Sequence, residues 1–416
     1  MRVISTTTVA ALALIPPGAA MLTTTATAAP ASCLGRPATI VGTTADDQLR
    51  GTSGPDVIVG GLGNDRIEGF DGADVICGNE GGDTMFGGAG ADRIEGGPAG
   101  MSYGSDYVPN RLRGGPGADE LDPGTDSRWD PETGWVVGII DYTYEPGPVS
   151  VDLATGSTDI GDKITYRRAT RLIGSAYADT LKGGEHDDYI VSGRGDDYVS
   201  GRAGDDRLQP ELTRQRAGDR DRVYGGGGND HLWSQHGRDT FVGGDGDDQL
   251  LTVFPASLDG GAGADDLSLD VPRRTSTAEI RCGEGSDRTG IYGVTPATAS
   301  PRWLMSIDVP AERFRYGPFG TGRISGCETY DFVAVNARYR FVGSDVAESV
   351  WADDPYEGWA GGPLVATTGG GDDFVRGARS GNDRIDLGAG TDRVNARRSS
   401  TCFAWERGYC GGESRP

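Results

Sequence analysis

Apolar residues return every ninth position over long stretches of this chain, each set between polar neighbours. From Gly42 to Glu95 the series is Leu49, Ile58, Ile67, Ile76, Met85 and Ile94. This is not the 3.6-residue period of an amphipathic helix. Glycine also recurs too often for any twelve-residue helix to be attractive. The pattern predicts very short strands, one per nine residues, each paired with its equivalent one coil away. In "GGLGNDRIE" (60–68) the first six residues form a sharp turn. Ile67 then points inward, and Arg66 and Glu68 point out. Two nines make one coil of eighteen, so stacked coils bury a ladder of aliphatic side chains.

The sixth position of each copy is as regular as the eighth. Between Gly42 and Glu95 it is Asp47, Asp56, Asp65, Asp74, Asp83 and Asp92. Four copies from Gly174 to Gln209 add Asp179, Asp188, Asp197 and Asp206; four from Arg216 to Leu251 add Asp221, Asp230, Asp239 and Asp248. Three copies between Thr368 and Asn395 add Asp373, Asp383 and Asp392. Isolated copies hold Asp119, Asp265 and Asp287, without an evident stacking partner. "GSDVAESVW" (343–351) keeps the spacing with Glu348 for Asp. The stretches 134–173 and 288–367 leave the strict period and read as decayed or enlarged coils in preference to an inserted domain. The spacing divides the chain into a signal (1–29), an N-terminal cap (30–41) and a first roll block (42–121). An irregular β insertion (122–173), a second block (174–268), a degenerate or irregular β region (269–367), last repeats (368–395) and a tail (396–416) follow.

Stacking creates an electrostatic difficulty. Repeats two apart lie over one another, so Asp47 faces Asp65 and Asp56 faces Asp74. Two like charges ~5 Å apart cost very roughly 1–3 kcal/mol, depending on effective dielectric. Calcium, which takes about six to eight oxygens, answers this better than the smaller, more tightly hydrated magnesium. Ordinary turn chemistry also favours Asp and Gly, but it does not explain their recurrence at fixed positions.

These nonapeptides resemble the repeats-in-toxin (RTX, haemolysin-type) calcium-binding family. The resemblance implies an all-β parallel β-roll, or β-helix solenoid, and calcium ligation by the seventeen sixth-position aspartates of the four blocks. It covers roughly half of the residues between Gly42 and Asn395. Family members often carry an upstream catalytic or pore-forming domain. Here a cleavable signal leads almost directly into repeats, so toxin activity is not expected.

Composition agrees with a thin core. Of 416 residues 70 are glycine, more than twice the usual ~7%, and only 36% are hydrophobic. The net charge of −23 disfavours nucleic acid and anionic membranes as partners and favours cations. Arg2, an apolar stretch and "TATAAPA" read as an export signal cleaved near Ala28 or Ala29, predicting a secreted, extracellular protein. No stretch approaches the ~20 apolar residues of a membrane span. Six cysteines in an exported chain suggest disulfides and allow 15 pairings. Nearest-neighbour pairing would join Cys33 to Cys77, Cys282 to Cys327 and Cys402 to Cys410.

Catalytic signals are weak. There is no His-Glu-x-x-His, Gly-x-Ser-x-Gly or Gly-Lys-Ser/Thr motif. The histidines (His186, His231, His236) read as surface residues, and Trp351, Trp359 and Trp405 as caps on the coil stack. The expectation is a non-catalytic, calcium-binding structural or surface-binding module with an unidentified extracellular ligand. A hydrolase with its site in 288–367 is the alternative.

Overall fold

The structure is a computed structural model. It describes residues 31–415 except 99, 102–106, 125–127, 131–133, 137, 166–169, 211–218, 236, 254–256, 271–275, 294–302, 318–319, 335–336, 353–361, 379–381, 398–399, 406 and 411–412. The expected signal, His236 and Trp359 lie outside the described residues, as does the start of the copy at Arg216.

In the first block every nonapeptide contributes a strand, and alternate ones pair in parallel. Leu49 lies beside Ile67 and Ile67 beside Met85; Ile58 lies beside Ile76 and Ile76 beside Ile94. Two parallel sheets therefore face each other across the aliphatic ladder, with eighteen residues per coil. Ile58, Ile67, Ile76 and Met85 are fully buried between them. The protein is an all-β parallel β-roll. Among the described residues there is no helix, hence none long and apolar enough to cross a membrane.

Strands are longer than the expected three residues in several coils. Val57–Leu62, Arg66–Asp71, Val75–Glu80 and Thr84–Ala89 each run six residues. Pairing continues into the first residues of the next repeat, where Gly61 lies beside Asn79 and Phe70 beside Gly88, all four with positive φ.

The irregular stretches are coils of the same roll. One sheet passes by parallel pairing through Asn110–Arg113, Gly138–Asp141 and Thr170–Ile173 into the second block. It later continues through Arg288–Gly293, Thr329–Ala334 and Ser349–Trp351 into the last repeats. The opposite sheet departs twice, in the same way. Between Glu120–Asp122 and Thr180–Lys182 it holds Lys163–Ile164, Ser157–Thr158 and Ser150–Asp152, running back and forth. Between Ser276–Gly285 and Ala337–Val342 it holds Gly320–Ser325, Arg313–Tyr316 and Trp303–Asp308.

At each excursion three strands face one. Two extra strands at about 4.8 Å spacing lengthen that side by roughly 10 Å. In the second excursion larger side chains fill the added width: Tyr330 packs on Phe341 and Phe332 on Tyr339, at ring separations of 5.1 and 5.5 Å. The core turns aromatic here, whereas the first excursion keeps Ile140, Val151, Leu153 and Ile164.

Disulfides join Cys33–Cys77, Cys282–Cys327 and Cys402–Cys410. The first packs with Val59 and Val75 in a small cluster of its own, pinning the residues before the first coil. Closing a loop of 44 residues stabilises by roughly 4 kcal/mol on the chain-entropy account. Trp405 is buried in the main core. Trp351 is not a cap: it lies half-buried on the outer face against Phe374 and under Arg376.

Candidate metal centre

The turn preceding each strand is shaped by three glycines with two different functions. Gly61 and Gly63 have φ of +121° and +109°, in the left-handed region that favours glycine. Gly60 has ordinary φ and is required for space. A Cβ there would sit 2.4 Å from Asp65 Oδ2 and 2.7 Å from the Gly78 carbonyl of the next coil.

That crowding defines where the carboxylate goes. Asp65 Oδ1 accepts the backbone N–H of Asp47 at 2.8 Å, and the Asp65 N–H donates to Asp83 Oδ1 at 2.8 Å. Carboxylates eighteen residues apart are therefore linked through backbone amides. They do not oppose one another face to face as the spacing alone suggested, and each charge is partly met by an N–H.

The same link runs along both sheets. One ladder passes Asp47, Asp65 and Asp83 to Asn110. It resumes as Asp188, Asp206, Asp230, Asp248, Asp265, Asp287 and Glu328, then as Glu348, Asp373 and Asp392. The other passes Asp56, Asp74, Asp92, Asp119 and Asp162. It resumes as Asp179, Asp197, Asp221 and Asp239; Asp383 accepts from the Leu364 N–H. Asp119, Asp265 and Asp287, isolated by their spacing, are ordinary rungs. Their spacings from the rung before are 27, 17 and 22 residues, so a fixed count of eighteen misses them.

The second carboxylate oxygen separates the rungs into two groups. Asp47 and Asp56 Oδ2 accept from the N–H and hydroxyl of Thr43 and Thr52. Asp179, Asp188, Asp239 and Asp383 likewise find Ser175, Gly184, Ser234 and Ser400. By contrast, Oδ2 of Asp65, Asp74, Asp83, Asp92, Asp206, Asp230 and Asp248 is buried without a hydrogen-bond partner, as it is in Asp119, Asp265 and Asp287. Leaving a buried charged oxygen unmet costs more than the ~1–3 kcal/mol of a neutral group. Burial accordingly pushes Asp83, Asp230 and Asp248 up to about 7 and Asp206 to about 9, against the opposing effect of the backbone N–H each accepts.

Asn110 shows what these oxygens lack. It holds an aspartate's place in the ladder, its Oδ1 accepting the Asp83 N–H at 2.8 Å. Its Nδ2, where an aspartate has Oδ2, donates to the carbonyls of Gly97 and Pro123 at 3.1 and 3.3 Å. At the aspartates the same neighbourhood brings a carboxylate oxygen and a carbonyl oxygen together with no donor between them. At Gly69, for instance, Asp74 Oδ2 and the Gly87 carbonyl both lie 2.4 Å from where a Cβ would be. Converging, unmet oxygens suit a hard cation. Among the described residues no three His, Cys, Asp or Glu side chains form a cluster, so a site here combines carboxylate with backbone carbonyls. The cysteines are all in disulfides and offer no thiolate.

A family profile described as the RTX calcium-binding nonapeptide repeat (4 copies) matches residues 41–76, 50–85, 68–98, 173–208, 217–250 and 367–398. The chain carries RTX calcium-binding repeats. Such repeats bind Ca²⁺, and the oxygen-only surroundings of the unmet carboxylates fit that ion. No curated protein matches the chain at a significant level. The RTX matches omit Asp119, Asp162, Asp265, Asp287, Glu328 and Glu348, which share the ladders.

A second RTX ladder uses the fifth position, which the repeat leaves variable. Asp187, Asp205, Asn229 and Asp247 each accept, through Oδ1, the N–H of the equivalent residue one coil on. It runs opposite to the sixth-position ladder. The signal available in the sequence was the recurrence of Asp or Asn immediately before the sixth-position Asp in these four copies.

Proposed function

We propose that this chain is a secreted, non-catalytic structural or surface-binding module whose RTX coils are completed by calcium at the sixth-position carboxylates. The contrast between Asn110 and its aspartate neighbours carries the reading. Where an amide is present the turn carbonyls are satisfied by the chain itself; where a carboxylate is present they need a cation. Asp65, Asp74, Asp83, Asp92, Asp206, Asp230 and Asp248 would hold the ion together with carbonyls of stacked turns. Asp197, Asp221, Asp373 and Asp392 occupy equivalent rungs. Calcium supplies positive charge and accepts several oxygens at once; the chain's glycines and backbone amides hold those oxygens in place.

Three disulfides support an oxidising, extracellular setting. A non-catalytic role is supported by how the carboxylates of 288–367 are used. Glu348 is a ladder rung, Asp331 accepts from Arg288, and Glu312 pairs with Arg323. Calorimetric calcium titration with circular dichroism alongside tests the reading. Several calcium ions should bind per chain as β-signal rises, around the ~10⁻⁴–10⁻³ M typical of extracellular modules. Full β-signal in chelator, unchanged by calcium, would remove the coupling.

A further inference from the structure

The second excursion creates a surface that the calcium ladders do not use. Its four neighbouring strands, Trp303–Asp308, Arg313–Tyr316, Gly320–Ser325 and Ser276–Gly285, turn alternate residues inward. Ile307, Phe314, Ile324 and Ala278 are buried. The residues between them face out and, by the pairing register, fall into two rows across the sheet. One row is Asp308, Arg313, Arg323 and Glu279. The next is Ser306, Arg315, Thr321 and Thr277. Together they line an open cleft of about 690 Å³, within the ~300–1,000 Å³ range of small-ligand sites.

The chemistry of the rows is selective. Three arginines stand on one face of a chain with net charge −23. Arg323 pairs with Glu312 at 2.7 Å. Arg315 donates through Nε to the Gly317 carbonyl at 3.2 Å, and its cross-strand neighbours are hydroxyl residues instead of acids. A planar guanidinium matches a sulfate or carboxylate through paired N–H donors. Ser306 and Thr321 flank Arg315 one strand spacing, about 4.8 Å, to either side, and Thr277 lies one strand beyond Thr321. Asp308 and Glu279 close the first row at both ends, so a continuous polyanion such as nucleic acid meets like charge on either side. A ligand with isolated anionic groups on a polyhydroxylated frame avoids that repulsion.

We propose that this face binds an anionic oligosaccharide, with Arg315 and Arg313 taking its sulfate or carboxylate groups and the Ser306, Thr321 and Thr277 hydroxyls taking ring hydroxyls. The proposal deepens the surface-module reading by naming a ligand class, and it needs only the folded sheet. The test is calorimetric titration of the full, disulfide-bonded, calcium-loaded chain with a heparin-derived tetrasaccharide. Maltotetraose and sodium sulfate are the neutral and sugar-free comparisons.

One saturable site is expected, with no response to maltotetraose. Arg315→Ala should weaken it at least tenfold, and Arg50→Ala, on the other sheet far along the roll, should leave it unchanged. Arg315→Lys, which keeps charge without the paired donors, should weaken it at least threefold even if the alanine variant folds poorly. No binding, equal loss with Arg50→Ala, or sulfate alone competing at equal concentration each overturns the proposal. The calcium response of each variant is recorded separately, so a failed saccharide titration leaves the calcium reading standing and a failed calcium titration is visible by itself.

Discussion

The RTX blocks and the two excursions use the same roll but satisfy their buried acids differently. In the blocks, Asp65, Asp74, Asp83 and Asp92 each bury an oxygen with no donor. In the first excursion the chain supplies the donor. Asp141 is gripped by Arg111 and Arg113 and accepts from the Thr143 N–H and hydroxyl. Burial alone would raise its pKa; Thr143 and the two arginines outweigh that and hold it below the ordinary value. The Tyr142 hydroxyl reaches Asp162 Oδ2 at 3.1 Å, and Arg202 clamps Asp152 with two contacts of 2.7 and 2.8 Å. The difference is therefore a local property of the turn. Strand pairing and the aliphatic core are common to both regions, and the fate of one carboxylate oxygen distinguishes them.

Calcium removal should break this comparison most visibly. In chelator, amide hydrogen exchange across 65–95 and 201–268 is expected to rise by about 100-fold or more as those coils open. The 138–164 and 303–342 strands should keep more protection, the latter also tied by Cys282–Cys327. Uniform loss of protection along the chain would show that the roll opens as one unit and that the local distinction has no energetic weight. A smaller effect comes from filling the turn. Gly69→Ala places a Cβ 2.4 Å from both Asp74 Oδ2 and the Gly87 carbonyl, and should cost about 2–3 kcal/mol in calcium. Gly54→Ala meets no heavy atom nearer than 4.0 Å and should be close to neutral. Urea unfolding of the two variants side by side reads the difference.

Under the proposed calcium assignment, protons and calcium would compete for the same oxygens with opposite pH dependence. Burial raises Asp83 and Asp230 to about 7, Asp92 and Asp265 to about 6 and Asp206 to about 9, from 3.8 when exposed. A raised folded-state pKa means that folding takes up protons. The metal-free blocks are thus favoured at low pH and lose that contribution as pH rises from about 4, the loss being complete above folded values of about 6 to 9. Without calcium, the β-signal should be greater at pH 5 than at pH 8. With calcium the trend reverses, because deprotonated carboxylates bind the ion better. Circular dichroism at both pH values, with and without chelator, checks both signs; a metal-free signal that grew toward pH 8 would contradict the assignment.

Much of the fold was legible in the nine-residue period. Ile67 between Arg66 and Glu68 located the core, and Asp65, immediately before that strand, located the turn acid. The stacking partner of Asp65 followed from arithmetic. The period broke down where chain was inserted between rungs: residues 93–118 separate Asp92 from Asp119, yet the N–H of one still reaches the carboxylate of the other. It was also silent on metal demand. Thr43, Thr52 and Ser175 stand where Gly61 stands in its repeat, and their hydroxyls satisfy the neighbouring aspartate. That substitution is visible in the sequence, but its meaning depends on which oxygen faces the second turn residue. The excursions were hidden for a related reason. Three-strand meanders bury ordinary alternating residues, and only the pairing register shows that they sit between coils.

The finest distinction lies between Asn110 and the rungs beside it, and exchanging them tests it in both directions. Asp92→Asn should let the new amide donate to turn carbonyls as Asn110 does, raising stability in chelator by about 1 kcal/mol and reducing the number of calcium ions bound. Asn110→Asp should do the reverse. It replaces an amide that donates to Gly97 and Pro123 with a carboxylate oxygen facing the same carbonyls. The expected loss is about 1–3 kcal/mol in chelator, recovered in part when calcium is added. Urea midpoints measured with and without calcium give the answer directly. If Asn110→Asp were equally destabilised under both conditions, the ion would not be taking the place of the amide, and the difference between the RTX turns and this coil would have to come from packing.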